Sequence, residues 1–528
     1  MTVSAHGIAG ESLPDVSQRL NQIFRQISGI LMRGKTVRRP AGGEAHHLKS
    51  FTRVCAMKKF LTLLLAAGMA LSSVNGASAV DLKVSGAWLV GGNVTDGLFG
   101  GDGKNPATEP LRKDASDGSF TARQRIRINL DMSVNESISG FVQFQVGNGA
   151  SMPHANTWGE QGVGGPGKAV TARLAYLDWL VPSADVLIRM GRQEVIMPSY
   201  VFNSPVLDGT LDGVTVHAPI NEMVSLNAGW LRPSAALNKW GTEHYAHSSV
   251  DLAFLTADFK GEGYKISPWG MIGLHGNGVR SVAADGTETR VPALDMMGYG
   301  YGSAMNGLDS RTTVYWAGVG GELSLFDPFR FTADFIYSGN DADGRARRSG
   351  WYAALGAEMK TSWATPFLRG WYASGDDADS EGSKRLLSPS GTFNASAIYF
   401  DALGMLAPTI DNCSPAGTWG VELGVKGVSF IDDLNHMLTV TYFQGTNNTN
   451  RVTDASVSRP ADINRTPIHY MTTADSAWEI NFLSNYSIYR NLTASVLLAY
   501  LVTDFDESIR TAEYDNAFRG ALMFTYAF

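Results

Sequence analysis

From Leu82 to the C-terminus, apolar and polar side chains alternate with a period of two, in segments of about ten residues. The last segment is the clearest: Phe518, Gly520, Leu522, Phe524, Tyr526 and Phe528 share one parity, and Arg519, Ala521, Met523, Thr525 and Ala527 the other. In a strand these sets lie on opposite faces, so one face suits lipid and the other water. Helical periodicity is nowhere sustained. Eighteen such segments begin near Leu82, Phe120, Ile138, Ala169, Asp185, Asp212, Glu222, Ser249, Tyr264, Arg311, Phe329, Ser349, Thr365, Gly417, Leu434, Ser476, Asn491 and Asn516. Long connections (91–118, 148–168, 276–310, 375–416 and 445–475) take turns with tight ones (135–137, 182–184, 261–263, 326–328 and 489–491).

This pattern predicts an all-β fold, a transmembrane antiparallel up-and-down β-barrel of 18 strands with long external loops and short periplasmic turns. The segments starting at Asp185 and Asp212 are the weakest, and losing both would leave sixteen strands. A soluble sandwich would have to bury one face of about eighteen strands in a shared core, whereas closure satisfies every backbone group and lets that face meet lipid. Trp88, Tyr176, Trp179, Trp230, Trp269, Tyr337, Trp351, Tyr372, Trp419, Tyr500 and Tyr526 gather toward segment ends, as an interfacial girdle requires.

Ahead of the barrel region, Lys58 and Lys59 follow Met57, the run 60–71 is apolar, and Ala77, Ser78 and Ala79 precede Val80. Residues 57–79 therefore read as a secretory signal peptide, and 1–56 as a mis-assigned start or disordered leader, leaving 80–528 as the barrel domain. The net charge of -7 argues against nucleic-acid binding. Residues 1–79 hold ten bases but only three acids (Glu11, Asp15 and Glu44), so the exported part is twice as acidic. Two cysteines, Cys55 and Cys413, cannot build a disulfide framework or a Cys-rich zinc site.

The export signal, the alternating final strand and the terminal aromatic Phe528 resemble bacterial outer-membrane porins. Two phrases extend the likeness: 171–178 (TARLAYLD) and 188–193 (IRMGRQ) are similar to the strand pair before the inward-folded third loop of trimeric porins. The signal start, the Ser-Gly-Asp-Asp run at 374–377 and the length are most similar to the homotrimeric porins of sulfate-reducing bacteria. The resemblance implies a homotrimer in the bacterial outer membrane, in contact with lipid and lipopolysaccharide. It also implies that Phe524, Tyr526 and Phe528 form the signal read by the barrel-assembly machinery. Residues 194–211 would be the third loop, carrying Glu194 and Asp208, with Asp212 at its return.

Parity places Arg123, Arg125 and Arg127 together on the lumen wall, because arginine facing lipid near the midplane would cost roughly 2 to 4 kcal/mol. The same rule turns Lys83, Arg173, Arg189, Lys265, Arg330, Arg369, Lys426 and Arg519 inward, against the acids Asp131, Glu322, Asp334, Glu358, Glu422 and Glu479. The bases outnumber the acids there, which suggests a mild preference for anions. Third-loop acids facing the arginine ladder would put a transverse field across the constriction. The inward parity offers few aromatics beyond Phe141 and Tyr352, which argues against a sugar slide.

The loop openings at 338–344 and 374–379 repeat a Ser-Gly-x-Asp-Ala-Asp pattern that could bind Ca²⁺, but the twelve-residue loop ending in a bidentate Glu is missing, and solvated acidic turns fit better. No Gly-x-Ser-x-Gly, His-Glu-x-x-His or P-loop occurs, and among the seven histidines after residue 79 the only close pair is His244 and His247. The expectation is a non-enzymatic, cofactor-free porin passing small hydrophilic solutes and ions by passive diffusion. The alternatives are a substrate-specific channel for a sugar or organic acid, or an adhesin or receptor using long external loops such as 375–416.

Overall fold

The computed structural model describes residues 80–98, 111, 118–146, 156–157, 170–234, 250–275, 279–282, 288–291, 312–343, 347–378, 382–400, 414–453, 470–509 and 513–528. The leader, the signal segment, Cys413, His244 and His247 lie outside them. The described chain is a ring of 18 antiparallel strands: β1 (Asp81–Asp96), β2 (Ser119–Asn135), β3 (Ile138–Val146), β4 (Val170–Leu180), β5 (Leu187–Ile196), β6 (Asp208–Pro219), β7 (Val224–Ser234), β8 (Val250–Gly261), β9 (Tyr264–His275), β10 (Thr312–Phe326), β11 (Phe329–Asn340), β12 (Ser349–Met359), β13 (Thr365–Ala373), β14 (Thr418–Val428), β15 (Leu434–Gly445), β16 (Ser476–Tyr489), β17 (Leu492–Asp504) and β18 (Ala517–Ala527). The eighteen expected starts fall within two residues of these, except that β6 begins at Asp208 rather than Asp212.

Each strand pairs with its sequence neighbour, and β18 closes on β1 from Ala87↔Ala527 to Asp96↔Phe518. Phe528 and Gly86 then exchange backbone hydrogen bonds of 2.8 and 3.0 Å. Gly86 has no side chain for a packing reason: a Cβ there would lie 2.6 Å from the Phe528 ring. Closure joins the first strand to the last, so the ladder runs around the ring without water, as a lipid setting demands. The tight turns are held locally. Asn135 Oδ1 accepts from the amides of Ser137 and Ile138, and Asn221 Oδ1 from those of Met223 and Val224.

The outward parity is an apolar belt, with Leu82, Val84, Leu255, Val319, Phe331, Phe335, Leu355, Leu368, Leu423, Ile480 and Leu498 exposed. Of the expected girdle, Trp88, Trp179, Trp230, Tyr337, Trp351, Tyr372, Tyr500 and Tyr526 are exposed on this face. Trp269 is instead buried on the inner face. Tyr176 also turns inward, stacking on Phe141 at 5.1 Å. The cause is a β-bulge: Gln143 pairs with Leu174 while Phe144 pairs with Ala172, so Arg173 is an extra residue and the parity of β4 switches there. Inward aromatics are correspondingly more numerous than the sequence suggests, with Phe254, Trp316, Phe367, Trp371 and Phe443 buried alongside Tyr352.

Candidate functional site: a lumen narrowed by two loops

The third external connection is short, residues 197–207, but the hairpin beneath it leaves the wall. Pairing of β4 with β5 ends at Ala175↔Arg192, and pairing of β6 with β7 begins at Asp212↔Arg232. Between those points β5 and β6 bond only to each other, up to Ile196↔Asp208. Freed from both neighbours, this end crosses the barrel and is caught by the far wall. Tyr200 and Val201 amides and Ser199 Oγ donate to the Asp334 carboxylate of β11 at 2.8 to 3.0 Å. Arg369 of β13 donates to the Val201 carbonyl at 3.0 Å. The Tyr200 hydroxyl reaches Ser267 of β9 at 2.6 Å, and Ser267 donates to Asp258. Between the hairpin and β6–β9 lies a cavity of ≈ 510 Å³ with a mixed polar and apolar lining.

A second loop also folds inward, and the sequence reading placed it outside. Of the connection 374–417, residues 382–400 run through the lumen rather than over the surface. Leu386, Leu387, Phe393, Ile398, Tyr399 and Phe400 are all buried, as a stretch this apolar requires. Trp316 of β10 donates to the Leu387 carbonyl, and the Ala397, Ile398 and Tyr399 amides donate to Glu479 of β16 at 2.6, 2.7 and 3.0 Å. The two inward loops lock together, the amides of Asn203, Thr392, Ser390 and Asp208 donating to Asn394 Oδ1 and to the carbonyls of Ser204, Val206 and Ser390 respectively. Their aromatics interlock with the wall. Phe393 packs against Phe202 at 4.8 Å, Phe400 at 5.0 Å, Trp371 at 5.2 Å and Tyr352 at 6.2 Å.

β2 stands nine strands from β11, on the opposite wall. There Arg127 Nε donates to Gln145, Gln143 to Asn129 and Asn129 to Ser85. Arg173 bridges Gln143 at 3.0 Å and Glu194 at 2.7 Å, which ties the third-loop hairpin to the ladder side. Among the described residues Arg125 and Arg127 have no acid within ion-pair distance, and Arg125 Nε has no hydrogen-bond partner. Arg123 is buried.

The other nominated residues have different surroundings. Asp208 accepts from Thr392 at 2.6 Å, and Asp212 pairs with Arg192. Arg330 pairs with Glu322 and Glu358, Lys426 with Glu358, and Arg369 with Glu422. Arg519 is 1% exposed and donates to the Ala397 carbonyl at 2.6 Å. Phe524, Tyr526 and Phe528 face outward. At the acidic loop openings, Asp341 accepts from the Thr313 amide, while Asp376 accepts from Ser383, Lys384 and Tyr470. Burial, with Asp376 beside it, holds the Tyr470 phenol well above its ordinary value, so it remains a donor. Asp379 lies outside the described residues.

A closed barrel with an apolar outer belt, short turns at one end and a polar interior narrowed by inward loops is a transmembrane barrel of the porin class, built for an outer membrane. No protein-family model and no curated protein matches the sequence. Among solved structures, the chain is similar to Pseudomonas aeruginosa OccK2 (OpdF) in complex with glucuronate, at 11% identity over 85% of this chain and 98% of that one, TM-score 0.49. It is also similar to P. aeruginosa OccK9 (OpdG), at 12% identity over 86% and 100%, TM-score 0.49, and to OpdK with vanillate, at 12% over 85% and 98%, TM-score 0.46. The barrel's own strand pairing, rather than this likeness, defines its fold.

Proposed function

We propose that the protein is a selective outer-membrane channel, passing small anionic hydrophilic solutes such as organic acids down their gradients. The observation that carries this reading is an imbalance of pairing. The bases of β11, β13 and β14 each have a carboxylate partner, whereas Arg125 and Arg127 have none among the described residues. Uncompensated positive charge thus stands on β2, across from the two loops, with Lys265 of β9 a further inward base that has no acid partner of this kind among the described residues. A solute squeezed between the loops and β1–β4 would slide along guanidinium groups able to take a carboxylate in bidentate fashion. Loop crowding favours selection over open diffusion, because two loops tied across the lumen narrow it.

In this reading the channel works as a homotrimer, the barrel-assembly machinery reads the terminal aromatics, and lipopolysaccharide packs on the belt. Liposome swelling tests the selectivity: small carboxylates should enter faster than neutral sugars of equal size. Equal rates would return the protein to a general diffusion pore, and no swelling from a folded barrel would favour an adhesin. Native-mass or cross-linking measurements in detergent check the trimer.

A further inference from the structure

We infer that Asp334 with Arg369, and Glu479 with Arg519, form two clamps that position the inward loops and so set the aperture; this inference rests on the channel reading above. The two arrangements share a plan. In each, one wall carboxylate accepts consecutive backbone amides of a loop, those of Tyr200 and Val201 or those of Ala397, Ile398 and Tyr399. In each, a wall arginine donates to a carbonyl at the same turn, Val201 for Arg369 and Ala397 for Arg519. In each, acid and arginine come from strands two apart, β11 with β13 and β16 with β18.

The chemistry explains the repetition. A loop carried into a lumen loses the strand ladder that satisfies its amides and carbonyls, and buried groups of that kind need partners. A carboxylate and a guanidinium supply them with charge-assisted bonds, stronger than neutral ones. The two carboxylates are turned to the loops rather than to passing ions, because Glu479 is 0% and Asp334 5% exposed. The wall is shaped to the first clamp as well. A Cβ on Gly320 would lie 2.4 Å from Asp334 Oδ1 and 2.7 Å from the Tyr200 ring, so only glycine lets the loop approach.

Since the two loops are hydrogen-bonded to each other, they form one body held at two ends. Loosening either end should move both.

The test is single-channel recording of the refolded barrel carrying Asp334→Asn, Glu479→Gln, both together, or Gly320→Ala. Each amide removes the charge and leaves one acceptor oxygen where the carboxylate has two, and the alanine displaces the loop while keeping all four charges. We expect each single variant to raise conductance about 2-fold with added low-frequency noise, the double to exceed neither by much, and heat-modifiability to stay intact. Glu479→Asp, which keeps the carboxylate, should restore quieter, near-parental currents. Unchanged conductance in variants that fold would overturn the clamp. If the amide variants fail to fold, Gly320→Ala decides on the same criterion. A parental barrel that conducts nothing counts against the channel reading instead. The clamp is then judged by limited proteolysis, which should cut within 197–207 and 386–400 in the variants only; equal resistance would overturn it.

Discussion

Replacing Arg125 and Arg127 by alanine should remove most of the channel's anion preference. The two side chains are two residues apart on β2, about 7 Å along the strand. A univalent anion about 4 Å from one guanidinium gains about 1 kcal/mol even at the dielectric of water, and the second, somewhat farther, adds about 0.5 kcal/mol. Losing both therefore costs about 1.5 kcal/mol, close to tenfold in anion occupancy. The assay is the reversal potential in a planar bilayer under a potassium chloride gradient, with the parental barrel in parallel. At an ionic strength near 0.1 M the screening length is about 10 Å, so the difference should be plain, and near 1 M, where it is about 3 Å, it should shrink. If parental and variant reversal potentials coincide at low salt while both conduct, the β2 arginines do not govern selectivity.

Three further outcomes follow from particular contacts. Glu194→Gln strips Arg173 of its carboxylate and should move the reversal potential further toward anions, with conductance little changed. Deleting 386–400 should raise conductance severalfold, since this stretch runs through the lumen; unchanged conductance in a folded barrel would refute that course. Phe393→Ala removes a fully buried ring at the junction of both loops, a loss of about 3–5 kcal/mol in a packed core. It should appear as flickering current and protease-sensitive loops in a barrel whose melting is nearly unchanged.

Strand number and strand faces were legible because lipid on one side and water on the other impose a strict period of two. The segment at Asp212 started late because residues 208–211 belong to a hairpin that has left the wall, where the lipid-facing pattern no longer applies. Tyr176 was assigned to the girdle because a single extra residue at Arg173 reverses parity, and bulges have no signature in alternation. The inward course of 386–400 followed no period. Its signal was composition: Leu386, Leu387, Phe393, Ile398, Tyr399 and Phe400 are too apolar a load for a loop left in water. Charge counting found Arg369, Arg519, Asp334 and Glu479 but could not separate charges that meet solutes from charges that hold backbone. That distinction depends on loop atoms distant in sequence.

The aromatic knot has a consequence for how the protein tolerates change. A water-filled barrel has one hydrophobic solvent, the membrane, outside it. This one also encloses a dry, tightly packed centre, so its interior is divided between two selective regimes. Inward positions on β10–β16, such as Trp371 and Phe443, answer to the rules of a globular core, where volume must be conserved. The inward positions of β2–β4 around Arg125, Arg127 and Arg173 are polar instead, and are free to vary with the solute. A lineage adapting to a new nutrient could thus rewrite one arc of the wall while the opposite arc keeps the molecule's shape.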